Sequence, residues 1–224
     1  LGLLIVDEEQ RFGVRHKERL KQLRASVDVL TLTATPIPRT LHMSFMGLRD
    51  LSLIRTAPRD RMPVITHVIP WSDQILAEAL LRELDRGGQA FFLHNLVSTI
   101  HGAAERIRAL VPEARIEIAH GQMRPRQLDR VMRSFVDGEI DVLACSSIIE
   151  NGLDVPNANT LIVNRADRFG LSQLYQIRGR VGRSDRRAFC YLIAPNELGD
   201  DAERRLSVLE HHTQLGSGYS VALR

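Results

Sequence analysis

The 224 residues carry 30 Lys and Arg against 27 acids, a net charge of +3, with 44% hydrophobic and 25% charged residues. That is an ordinary globular composition. It excludes a disordered chain and a membrane span, because no run approaches the roughly 18 apolar residues that a bilayer helix needs.

Apolar runs of strand length alternate with amphipathic runs of helix length, the pattern of an α/β fold with parallel sheets. LGLLIVD, residues 1–7, is a continuous apolar run and reads as a buried parallel strand. A basic helix over Val14 to Leu23 and a strand over Val27 to Thr33 follow, closing in the turn TATPIPR. A helix over Thr40 to Met46 and a strand over Leu48 to Ile54 complete a first, partial unit. Thr56 to Pro63, with two prolines and three charges, reads as a linker.

Beyond it the alternation restarts. Strands are predicted over 64–70, 89–95, 115–120, 140–146, 160–164 and 188–195. Helices are predicted over 72–86 (apolar face Ile75, Leu76, Ala79, Leu80) and 98–110 (Ile100, Ala104, Ile107), and over 125–136 and 200–212. In the helix over 125–136, Leu128, Val131, Met132, Phe135 and Val136 follow the i, i+3, i+4, i+7, i+8 rule. These elements make a complete doubly wound unit. The two cysteines lie in apolar runs (DVLACS, AFCYLIA), too few for a disulfide framework or a zinc site, and read as reduced thiols of a cytoplasmic protein. LGLLIVDEEQ lacks the basic region of a signal peptide. With no initiator Met and a start inside a strand, the chain reads as a fragment.

Four stretches carry chemistry. Asp7 and Glu8 end the first strand, and in an open α/β sheet ligands sit at the carboxyl ends of strands. There an Asp holds Mg²⁺ and a Glu polarises an attacking water; an acidic helix start favoured by the dipole explains the same residues equally well. Thr33, Ala34 and Thr35 end the second strand, where small hydroxyls can relay a hydrogen-bond change. Ser146 to Ala158 follows another strand and offers hydroxyls, Gly152 and Asp154, suited to ribose or a nucleic-acid backbone, or simply to a turn. In QLYQIRGRVGR, residues 173–183, Gln176 precedes Arg180 and Arg183, each beside a glycine. Glycine lets a backbone approach closely, and arginine presents a planar, permanently charged fork that suits phosphate oxygens. From Arg165 to Arg187 seven arginines face only Asp167 and Asp185, a local +5.

These motifs, in this order and each beside a strand, are similar to motifs II, III, V and VI of superfamily 2 helicases and translocases. DEEQRFGVRHKERLK, LTLTATPIPRTLHMSFMGLRDLSLI, HGQM, SIIENGLDVPNANTLIV and ADRFGLSQLYQIRGRVGRS resemble, more closely, the bacterial transcription-repair coupling factors, and TATPIPRTL also resembles the RecG-type fork helicases. The coupling factors are double-stranded DNA translocases that remove stalled RNA polymerase and recruit excision-repair proteins.

The resemblance implies RecA-like sheets: a partial motor lobe over 1–56, a linker over 57–63, a full lobe over 64–196 and the start of a helical hairpin over 197–224. It implies ATP and Mg²⁺ as cofactors, with Asp7 serving the metal and Glu8 the water. Gln176, Arg180 and Arg183 would reach the γ-phosphate, the arginines as fingers. Thr33, Ala34 and Thr35 would couple nucleotide to DNA, and Gly152 and Asp154 would hold nucleotide or backbone. Arg39, Gly121, Arg124 and Ser146 would lie along DNA. The chain departs from the family in reading SSIIENG where TTIIETG is usual, and no GxxxxGK[ST] phosphate loop occurs in it. An ATP-independent DNA-binding module is the alternative from another class, although single-strand binders usually add stacking aromatics and this chain has one Trp.

Overall fold

Parallel strands covered on both faces must be apolar on both, and residues 89–94, 142–145 and 189–193 meet that demand. The first strand, expected to be buried, instead leaves Leu3 53% and Ile5 58% exposed, because among the described residues it lies in a sheet of only two strands. The computed structural model describes residues 2–8, 12–23, 26–33, 52, 54, 62–147 and 154–211. The chain divides into two compact units, Leu1–Arg55 with Gly218–Arg224, and Thr56–Ser217. In the first unit β1 (Leu3–Asp7) pairs in parallel with β2 (Asp28–Leu32), Asp7 opposite Leu32, and α1 (Val14–Leu23) connects them. The helix expected over 40–46 lies outside the described residues, as does the strand over 48–54 apart from Ser52 and Ile54.

The second unit holds six parallel strands: β3 (Ile65–Ile69), β4 (Gln89–His94), β5 (Ile116–Ala119), β6 (Val142–Cys145), β7 (Ala158–Asn164) and β8 (Phe189–Ile193). Their order across the sheet is β3-β8-β7-β4-β6-β5. The helices are α2 (Asp73–Asp85), α3 (Ile100–Leu110), α4 (Pro125–Val136), α5 (Leu171–Arg178) and α6 (Asp200–His211). Ser72 caps α2, its hydroxyl accepting from Ile75 N at 3.4 Å, and Pro125 opens α4 with its fixed φ.

Alternate residues of each strand feed two cores. Phe91, Leu93, Leu161, Val163, Cys190 and Leu192 pack with Phe135 of α4, Leu174 and Ile177 of α5, and Leu206 and Leu209 of α6. Ala90, Phe92, Ile162, Tyr191 and Ile193 pack with Leu76, Ala79 and Leu80 of α2 and Ala104 and Ile107 of α3. The sheet is therefore doubly wound, among the described residues with two helices on one face and three on the other. Two expected core residues face outward, Ile75 at 39% and Val136 at 51% exposed. A helical stripe of ordinary width holds only three or four residues per two turns, and Glu83 takes the last inward place on α2. The short helix α5 was not part of the predicted pattern.

Parallelism gathers all six carboxyl ends along one edge and all six amino ends along the other. That division positions everything below.

Candidate functional site

In the first unit the motifs meet at the carboxyl edge. Asp7 ends β1 exposed. Glu8 follows with φ 50°, left-handed backbone that a non-glycine residue adopts only when held there. The restraint is visible: Glu8 N donates to Leu32 O at 2.9 Å, and Thr33 Oγ1 donates to Glu8 Oε1 at 3.4 Å. The end of β2 thus touches the carboxylate at the end of β1. Ala34, Thr35 and Arg39 lie outside the described residues.

In the second unit the arginine turn lies at the opposite kind of edge. α5 runs from the carboxyl ends back toward the amino ends, so the turn after it faces the starts of β3, β7 and β8. The two motifs, each beside a strand in the sequence, occupy opposite kinds of edge: the carboxylates sit where strands end, the arginines where strands begin. Gly182 shows the closeness of fit. Its φ is +72°, and a Cβ there would lie 3.1 Å from Val64 Cγ2 and 3.2 Å from Ala188 Cβ. Only glycine meets both demands.

Buried Val181 and Gly182 lie between the partly exposed Arg180 and Arg183. Val181 is fully buried, and Gln176 lies partly exposed on α5. Arg183 Nη1 donates to Asp154 Oδ1 at 2.9 Å, and its Nε donates to Gly179 O at 3.3 Å. Asp154, picked out separately from the loop before β7, is thus brought onto Arg183. Its neighbour Gly152 lies outside the described residues. Ser184 extends the clamp, donating to Asn159 Oδ1 at 3.0 Å, and Asn159 is fully buried.

Arg178 behaves differently from the other two. It is 7% exposed and donates to Leu209 O at 2.7 Å, with its guanidinium 5.2 Å from the Tyr175 ring. Burial lowers its pKa from the ordinary arginine value. It ties α5 to α6 and is structural. The local +5 is therefore not one phosphate-facing surface. Arg178 is inside, Arg165 donates twice to Asp167 at the carboxyl edge, and Arg186 at the amino edge donates to Arg86 O at 2.9 Å.

The carboxyl edge of the second unit holds the residues expected along DNA. Ser146 follows β6, 6% exposed, its N donating to Ala119 O at 3.2 Å. Gly121 follows β5 and is exposed, and Arg124 caps the start of α4, also exposed. His94, missed in the sequence, ends β4. Asn164 Nδ2 donates to its Nδ1 at 2.9 Å, which leaves the proton on Nε2, 2.7 Å from Thr99 Oγ1. Burial first, and the Arg168 charge second, lower its pKa. Cys145 and Cys190 are buried and unbridged; burial raises both thiols, Cys190 to about 12. Among the described residues no cluster of three metal-ligating side chains occurs, and no helix is long and apolar enough to cross a membrane.

The chain is 58% identical, over its whole length, to the transcription-repair-coupling factors of Staphylococcus haemolyticus and Staphylococcus aureus strain USA300. It spans 19% of the length of each. Among solved structures, RecG bound to a three-way DNA junction is 35% identical with a TM-score of 0.75, matching all of this chain and 29% of that one. Dbp5 of S. cerevisiae, bound to RNA and ADP BeF3, shares the fold at 14% identity and a TM-score of 0.66, over 94% of this chain and 56% of that one. These neighbours mark the fold as RecA-like. The model of the helicase conserved C-terminal domain matches residues 72–185, from the cap of α2 past the arginine turn, and the chain belongs to that family.

Proposed function

We propose that the chain is motor machinery of an ATP-dependent translocase on double-stranded DNA. The protein it serves would displace stalled RNA polymerase and recruit excision-repair proteins in the cytoplasm. The observation that carries this is the 58% identity to transcription-repair-coupling factors over both units and all their motifs.

The residues suit ATP and Mg²⁺. Asp7 offers one exposed carboxylate, enough for a cation that keeps most of its waters. Bound Mg²⁺ would neutralise phosphate charge, and the rest falls to side chains. Glu8, held by the Thr33 hydroxyl, would orient the attacking water, and Thr33 would carry any change in Glu8 along β2 toward Ala34 and Thr35. Arg180, Arg183 and Gln176 would meet the phosphates from the second lobe. Asp154 aims Arg183 with a single bond to Nη1 and leaves Nη2 outside that pair. Gly152 would hold the nucleotide beside Asp154. Gly121, Arg124 and Ser146, at the other edge, would follow the DNA backbone, with Arg39 on the first lobe.

The test is Arg183→Ala in the intact protein. ATP turnover should fall by about 10³ or more, as for other arginine fingers, while nucleotide binding persists. Near-normal turnover would sink the assignment. The 224-residue chain by itself, with no GxxxxGK[ST] sequence, should not hydrolyse ATP; DNA-stimulated turnover from it would overturn that. Capture of RNA polymerase by the intact protein separates this function from that of a RecG-type fork helicase.

A further inference from the structure

The chain has one tryptophan, and it stands at the mouth of a cavity that the motor reading leaves unused. Trp71 follows β3 at the carboxyl edge. Behind it Phe92, fully buried, meets the indole edge-on with ring centroids 6.3 Å apart. In front of it the Arg106 guanidinium lies over the indole, 4.0 Å from the ring centroid. The indole is therefore held between a buried phenyl contact and a guanidinium whose side chain is half-exposed.

One carboxylate fixes both the indole and the guanidinium. Trp71 Nε1 donates to Asp73 Oδ1 at 2.5 Å, and Arg106 Nη2 donates to the same oxygen at 2.9 Å. Ring and fork are each held by a bond to the same oxygen, so the platform exists before any ligand arrives. The Arg106 side chain is 53% exposed.

The platform borders a cavity of about 690 Å³ that opens between the carboxyl ends of β3, β8, β7 and β4 and helix α3. That volume suits a nucleotide-sized ligand. Its walls combine apolar surface from Pro70, Ala103 and Ile193 with the amides of Asn164 and Asn196. Charge decides what kind of ligand fits. Arg106 and Arg165 line the cavity, but each is paired, with Asp73 and Asp167 respectively. So balanced a lining does not anchor a polyanion. It suits a flat, uncharged heteroaromatic ring with hydrogen-bonding edges. Bases stack on aromatic faces and on arginine planes, and a guanidinium already backed by an indole is such a plane.

We infer that the Trp71–Arg106 platform and its cavity form a site for an unpaired nucleobase, with the base stacked on Arg106 and its edge read by the Asn164 and Asn196 amides. The base comes from a single strand or from a free nucleotide. The site lies at the edge opposite the arginine turn, so it stands or falls independently of ATP turnover.

Because Trp71 is the sole tryptophan, its emission in the 224-residue chain reports the site directly. A short oligothymidylate should quench it saturably, and a blunt duplex at matched nucleotide concentration should not. Thymidine monophosphate then separates the sources: saturable quenching by it too assigns the site to free bases, whereas quenching by the strand alone assigns it to nucleic acid. Arg106→Ala should weaken the quenching midpoint about fivefold or more, the scale of one lost stacking contact. Arg106→Lys should lose as much, because it keeps the charge and not the plane. Three results would overturn the inference: no quenching by strand or nucleotide, equal quenching by duplex or by poly-glutamate, or an Arg106→Lys chain that binds like the original.

Discussion

The two edges of the six-stranded sheet are built to different ends. Along the amino edge the polar groups are tied to one another. Glu83, 1% exposed, pairs with Arg86 at 2.5 Å and accepts from the Thr160 hydroxyl. Gln89 Nε2 donates to both Phe135 O and Ile140 O, at 2.6 and 2.7 Å, and a Cβ on Gly88 would fall 1.8 Å from Glu83 Oε1. Along the carboxyl edge the strands end in an open cavity, a part-buried histidine and an exposed helix start. Ligands of open α/β sheets gather at carboxyl ends because helix N-termini and diverging loops leave room there. The arginine turn breaks that habit. In the proposed role it would act on a ligand bound elsewhere and would need a fixed aim more than room, which the crowded edge supplies.

The sharpest way to break this division is to exchange effects between the edges. Arg183→Ala should remove ATP turnover in the intact protein by about 10³ and leave DNA affinity unchanged; a loss of DNA binding of similar size would mean the edges are not separate. Next in size is the rigidity of the amino edge itself. Glu83→Ala leaves Arg86 and Thr160 without their shared acceptor, and breaking a buried pair costs about 3 kcal/mol. Urea unfolding of the chain should show it, and a cost below about 0.5 kcal/mol, the level of an ordinary surface change, would show the edge to be loosely held. Smaller still, Arg124→Ala should weaken DNA binding similarly for every sequence and lower the salt slope by about one counterion, as for one phosphate contact. An unchanged slope removes Arg124 from the DNA path.

The strands of the second unit were legible because parallel strands buried on both faces must be continuous apolar runs, and QAFFLH, VLAC and FCYLI are such runs, whereas LLIVD is as apolar but leaves Leu3 and Ile5 exposed. Helix α4 was legible to its bounds because Pro125 fixes its start and Phe135 anchors a clear 3.6 period. Four features were not. Helix α5 has eight residues, of which only Leu174, Ile177 and Arg178 are buried, too little periodicity to separate from a loop. The inward turn of Arg178 depends on Leu209 O, 31 residues away, and no local pattern carries it. The placement of the arginine turn at the amino edge follows from α5 running back along the sheet, so missing α5 meant missing the edge. The pairing of Arg183 with Asp154 spans 29 residues. The motif order put both at one site, while the bond between them required the fold.

The last and smallest effect tests the open edge through pH. His94 has a pKa below the ordinary histidine value of 6.5, through burial and then the Arg168 charge. The unfolded chain therefore binds this proton more readily than the folded one. Stability from this group is level above about pH 6.5 and falls as pH drops through the window beneath it. Asp73, Asp141 and Asp167 are all held below the ordinary aspartate value of 3.8, so their contribution is lost only at lower pH and leaves the window to histidine. The slope is well under the ~1.4 kcal/mol per pH unit of one whole proton, since the ring is only part-buried and partly screened. His94→Gln should flatten it, measured as the urea midpoint between about pH 5 and about pH 6.5, the range in which histidine titrates. An unaltered slope would assign the proton to another group. Protonation also ends the acceptance of the Asn164 bond at Nδ1 and so loosens the β4–β7 lip of the cavity. The same acid range should weaken strand-induced quenching of Trp71 in the original chain more than in the Gln variant, whereas the amino edge, with no histidine in its network among the described residues, should not respond.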